Sequence, residues 1–120
     1  MKKPSIIKSI GHSVRGVATV IKEERNFRIH IVVAILAILF AWSSHFNFVE
    51  FSLIVIAIII VCVAEIINTA IEKTWDHLNP SHHPMIGSIK DIMAGGVLVA
   101  SIGSIAIGLF VICHHFFNFI

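Results

Sequence analysis

Charge is scarce in this chain: of 120 residues, seven are Asp or Glu and nine are Lys or Arg, while 57% are hydrophobic and the mean hydropathy is +0.93. So few charges exclude an ordinary soluble domain of this size, and the chain needs lipid as its solvent. Cysteine is equally sparse. Cys62 and Cys113 each sit alone in an apolar run, which excludes a disulfide framework or a cysteine metal site and leaves them as small packing residues. A glycine-rich phosphate loop of the GxxxxGK[ST] kind is missing, so any nucleotide binding must use another design. No short apolar core with a small-residue cleavage site follows the basic N-terminal arm, so the first span is expected to stay attached. There is no internal repeat, no low-complexity segment and nothing that calls for a nucleic acid partner.

What is present is three stretches without Asp, Glu, Lys or Arg, at 29–49, 51–64 (with an amphipathic continuation) and 92–120. Each is long enough, with its continuation, to cross a hydrocarbon core of roughly 30 Å. Seven of the nine basic residues precede the first stretch, and Lys73 and Lys90 flank the second connection, whereas 43–50 and the segment after Ile112 carry neither Lys nor Arg. The positive-inside rule then places the N-terminus in the cytoplasm and the C-terminus outside, in a multi-pass protein of the inner cell membrane. Upstream, Ile6, Ile7, Ile10, Val14, Val17, Val20 and Ile21 recur at three-and-four spacing, with Lys8, His12, Arg15, Thr19 and Lys22 on other faces. That pattern predicts a helix lying on the membrane surface. The fold class is an all-α membrane protein in one domain, an N-terminal amphipathic surface helix (about 5–24) plus three transmembrane helices (about 28–46, 49–77 and 90–117). Asn79 to Ser88, with two prolines, a glycine and paired histidines, reads as a loop, and Lys90 as the start of the last helix. The glycines and other small residues of that helix offer surfaces for close packing.

The second span carries the informative segment. It has no helix breaker up to Leu78, a length of roughly 45 Å, so its last turns emerge from the hydrocarbon on the cytoplasmic side. At 100° per residue, Glu65, Asn68, Thr69, Glu72 and Asp76 share an arc of about 100°. Glu65 lies about 22 Å along the helix from Glu50, just inside the apolar slab. An ionisable group there costs several kcal/mol and marks a functional site by default. A carboxylate at that depth is placed to take the proton of a lipid hydroxyl whose tail stays in the membrane. Glu72, and Glu24 from another helix, are oxygen ligands suited to Mg²⁺ bound to the phosphates of ATP, and Lys90 is placed to neutralise charge on the transferring group. Taken singly, Glu24, Asp76 and Asp91 read more readily as solvated or paired surface acids than as functional residues. His45, His114 and His115 read as interfacial residues, and His82 and His83 lack companions at metal-ligand spacing.

Four stretches resemble a known family: Gly11-His12-Ser13-Val14-Arg15-Gly16, Glu24-Arg25-Asn26-Phe27-Arg28, Glu65-Ile66-Ile67-Asn68-Thr69-Ala70-Ile71-Glu72 with Asp76, and Lys90-Asp91-Ile92-Met93-Ala94-Gly95. Across nearly its whole length the chain resembles the small prokaryotic diacylglycerol kinase and undecaprenol kinase family of integral membrane lipid kinases. The resemblance implies a homotrimeric bundle with each active site between neighbouring subunits. It implies Glu65 as catalytic base, Glu24 and Glu72 as metal ligands, and Asn68 as the residue that orients the reacting groups. Lys90 and Asp91 would contact the nucleotide phosphates, with His83, His12 and Ser13 also on the nucleotide side and Asp76 in support. The chain departs from the family's usual pattern at Ile89 and at Met93-Ala94-Gly95-Gly96, where alanines are common; these changes touch packing rather than charge. The Asn-Thr-Ala-Ile-Glu wording and the segment 25–28 are closer to the undecaprenol branch than to the diacylglycerol branch. Two rival readings share the buried acid: a small ion or proton channel lined by Glu65, and a catalytically silent assembly partner. Neither accounts for Lys90 and the carboxylates beyond the slab.

Overall fold

In the computed structural model, residues 5–78 and 84–118 are described, and all of the regular structure among them is α-helical. The first helix, α1 (Ile6–Glu23), opens on Ser5, whose hydroxyl accepts from the backbone N–H of Lys8. Of its apolar stripe only Val20 is buried, while Ile7 is 83% exposed and Ile10 and Val14 lie open beside it. An amphipathic helix left uncovered by its own chain is suited to lie in the membrane interface.

No proline or glycine separates α1 from α2 (Arg25–Ser43). Glu24 alone leaves the helical region, at φ −106° and ψ 108°. The break is held by Arg28, whose Nη1 donates to the carbonyls of Ile21 and Lys22, both at 2.8 Å. Those carbonyls belong to the last turn of α1 and have no partner of their own within the helix, so a guanidinium from the next helix substitutes for continuation. At the far end of α2, Trp42 is largely exposed, as an interfacial belt residue is.

The turn into α3 (Phe48–Leu78) contains His45 in the left-handed region, at φ 57°. A reciprocal cap then starts the helix: the Asn47 backbone N–H donates to Glu50 Oε1 at 2.9 Å and the Glu50 N–H donates to Asn47 Oδ1 at 2.8 Å. The last helix, α4 (Pro84–Phe117), begins earlier than the sequence predicts. Pro84 occupies its first position, where the fixed φ is pre-organised and the missing N–H costs nothing. Lys90 therefore sits in the second turn of α4 rather than at its open N-terminal amides.

Helices α2, α3 and α4 are each long and apolar enough to cross a membrane. The middle one organises the others. Its buried residues, Glu50, Ile54, Ala57, Val61, Glu65 and Thr69, recur every three or four positions and form one stripe along its length. Helices α2 and α4 pack on α3 from either side, and α1 touches α2 and α3. Ser104 Oγ of α4 donates to the Ala57 carbonyl at 2.9 Å, a polar tie between membrane helices. The close packing expected at the glycines of α4 is not made within one chain: a Cβ added at Gly95, Gly96, Gly103 or Gly108 meets no atom within 4 Å. Both cysteines are free thiols.

Candidate active site

The buried stripe of α3 carries Glu65 into the chain's interior, where the residue is 6% exposed. Its carboxylate is not bare. His30 of α2 brings Nε2 within 3.2 Å of Glu65 Oε1. A carboxylate can only accept, so the contact is a hydrogen bond when the imidazole carries its proton on Nε2. The imidazole is also part of the wall of a cavity of 390 Å³ between α2, α3 and α4, lined among others by Ala37, Ala57, Cys62 and Ser104; Glu65 is not in that wall.

One turn further, Asn68 Nδ2 donates to Glu72 Oε1 at 3.4 Å. Asn68 Oδ1 is buried and meets no donor. An orphaned buried acceptor beside a carboxylate is an incomplete hydrogen-bond set, which a ligand completes at little cost. Another turn along, Asp76 Oδ1 accepts from Lys90 Nζ at 2.6 Å, so the C-terminal end of α3 and the N-terminal end of α4 are tied by an ion pair, with Glu72 near enough to act on the same ammonium. Lys73 pairs with Glu23 and ties α1 to this end of α3 as well. Thr69 lies on the same face and is buried.

The remaining residues picked from the sequence are less drawn together. Glu24 is half-buried at the elbow, and its side chain caps nothing. His12, Ser13 and Asp91 are exposed, and the Ser13 hydroxyl donates to its own helix at the Ser9 carbonyl. His82 and His83 lie outside the described residues. Two histidines do more than the sequence suggests. His30 sits inside an apolar stretch with no spacing signal toward Glu65, thirty-five residues away. His115, expected at the interface, also packs against its own chain, with Nδ1 3.0 Å from Glu50 Oε1 and its ring tilted against Phe46 at a centroid distance of 4.5 Å.

With a buried acid, an orphan acceptor and a Lys–Asp pair aligned along the C-terminal half of α3, comparison with known proteins decides the family. Residues 11–112 match the family described as prokaryotic diacylglycerol kinase. The chain belongs to that family. An undecaprenol kinase of Bacillus subtilis is 34% identical over 104 residues, which is 87% of this chain and 85% of that protein. A diacylglycerol kinase of Escherichia coli strain K12 is 29% identical over 111 residues, 92% of this chain and 91% of the other. A diacylglycerol kinase of Helicobacter pylori strain J99 is 28% identical over 97 residues, 81% and 76% of the two chains. The chain is thus a membrane-embedded member of a lipid kinase family, and the channel reading loses its ground.

A divalent cation fits the oxygen donors here. Among the described residues no three His, Cys, Asp or Glu side chains gather at one point. Mg²⁺ asks for less than that: one or two carboxylates with the remaining positions filled by water and nucleotide phosphates. Glu72, beside the Asn68 amide, and the half-buried Glu24 at the elbow are carboxylates of the kind such a site would use.

Proposed function

We propose that the chain transfers the γ-phosphoryl group of ATP to the hydroxyl of a membrane lipid alcohol at the cytoplasmic boundary, with undecaprenol favoured over diacylglycerol. The observation that carries this reading is the burial of Glu65 on the one face of α3 that also holds Asn68, Glu72 and Asp76. Glu65 takes the hydroxyl proton as the lipid oxygen attacks the γ-phosphorus; the new P–O bond forms as the bond to the bridging oxygen breaks and its electrons leave with ADP. Asn68, held through its amide group by Glu72, turns its oxygen to the reacting groups. Glu24 and Glu72 hold Mg²⁺, which when bound offsets the charge of the phosphates. Lys90 and Asp91 meet the phosphates, with His12, Ser13 and His83 on the nucleotide side.

A homotrimer completes the site, because one chain leaves the glycine surface of α4 uncovered and covers Glu72 only in part. The undecaprenol preference is supported by the 34% identity to an undecaprenol kinase against 29% to a diacylglycerol kinase, and by the wording of segment 68–72. The test is transfer of radiolabelled γ-phosphate to both lipids side by side in the same micelles. Undecaprenol turning over about tenfold faster supports the proposal. The opposite ratio assigns diacylglycerol, and no transfer to either lipid overturns the kinase reading.

A further inference from the structure

We infer that His30 is a positioning residue for Glu65: its Nε2–H holds Oε1 of the carboxylate and thereby directs the other oxygen toward the lipid hydroxyl. The inference rests on the reading of Glu65 as the base. Its geometry is independent of it. Glu65 makes one side-chain hydrogen bond among the described residues, and that bond comes from His30 at 3.2 Å. The histidine is 29% exposed at its side chain and the glutamate 8%, so the contact is sheltered from the competition that weakens an ion pair in water.

Among the described residues no other charged donor reaches Glu65, and the Asn68 amide is turned to Glu72. On α3 the neighbouring titratable side chain is Cys62, one turn toward the outer face, while the polar side chains that α4 brings to the cavity wall are Ser101 and Ser104, beside the apolar Ile105 and Gly108. The long arms of Lys90 and Lys73 are engaged by Asp76 and Glu23. His30 belongs to the cavity wall and Glu65 does not, so the imidazole is the member of the pair that faces the apolar space. A free Glu65 side chain has several rotamers, and only some of them aim an oxygen at a hydroxyl near the membrane boundary. Fixing one oxygen leaves a single direction for the other, which is how a base gains from a neighbour that itself touches no substrate.

The experiment compares purified His30→Leu, His30→Gln and Glu65→Gln with the unaltered enzyme, varying ATP at saturating lipid alcohol. Leucine removes the donor, whereas glutamine restores an N–H at nearly the reach of Nε2. The expected result is a kcat about 10- to 100-fold lower for His30→Leu, with the KM for ATP within about twofold of the unaltered enzyme. His30→Gln recovers kcat to within about fivefold. A His30→Leu enzyme with unaltered kcat overturns the inference, and so does an equal loss in both His30 variants, which marks a packing role. An active Glu65→Gln enzyme is a different failure, since it removes the base itself.

Discussion

Lys90 Nζ and Asp76 Oδ1 lie 2.6 Å apart, joining the second turn of α4 to the last turns of α3 on the side where the proposed nucleotide would arrive. Both side chains remain substantially open to solvent, so the pair adds little to stability. Under the proposed kinase chemistry its value lies in holding an ammonium in place for phosphate oxygens. Lys90→Met is therefore expected to raise the KM for ATP by about tenfold or more while thermal stability in detergent stays the same. Initial rates against ATP concentration, with a thermal scan alongside, check both halves.

Glu65→Gln keeps the shape of the side chain and the packing of the stripe but removes the proton acceptor. Positioned general bases contribute roughly 10²- to 10⁴-fold, so lipid phosphorylation is expected to fall by at least about 10² with nucleotide binding retained. Phosphate transfer and equilibrium binding of a non-hydrolysable ATP analogue separate the two.

Glu72 accepts from Asn68 Nδ2, the amide whose oxygen has no partner, and is one of the two carboxylates proposed for Mg²⁺. Glu72→Gln retains the hydrogen bond to Asn68 through its amide oxygen and loses the charge. The Mg²⁺ concentration for half-maximal activity is expected to rise about 10- to 100-fold, with partial recovery of rate at high Mg²⁺. A metal titration of turnover reads this directly, and an unchanged midpoint would remove Glu72 from the metal set.

How much of this the sequence discloses depends on whether the signal is local. Glu65, Asn68, Glu72 and Asp76 are legible because a single helix carries them, and helical geometry alone puts them on one side. The elbow at Glu24 is less so: no breaker residue marks it, and its cause is an arginine reaching back six and seven residues to spare carbonyls. The start of α4 is misread because Pro84 and Gly87 look like loop residues, although proline is at home in a first helical turn. His30 is invisible for a different reason. It lies within an apolar span, and its partner is fixed only when α2 packs on α3, a tertiary event that no spacing encodes.

The same argument applies to His115, at the opposite end of the α3 stripe. Glu50 is 4% exposed, and beyond its reciprocal cap with Asn47 it has His115 Nδ1 within 3.0 Å of one oxygen and 3.2 Å of the other. Around the imidazole, Phe46 and Phe116 approach with ring centroids 4.5 Å and 4.8 Å away, so aromatic rings flank the His115 side of the pair. Removing one member leaves a buried carboxylate short of a donor, at a cost of about 1–3 kcal/mol. Yet Glu50 lies about 22 Å along the helix axis from Glu65, too far for a local repacking to disturb the base. His115→Leu is therefore expected to lower the unfolding temperature in detergent while kcat at moderate temperature stays close to the unaltered value. Thermal scans and initial rates on one preparation test it, and a His115→Leu enzyme that loses activity without losing stability would tie the N-terminal end of α3 to the chemistry proposed at its C-terminal half.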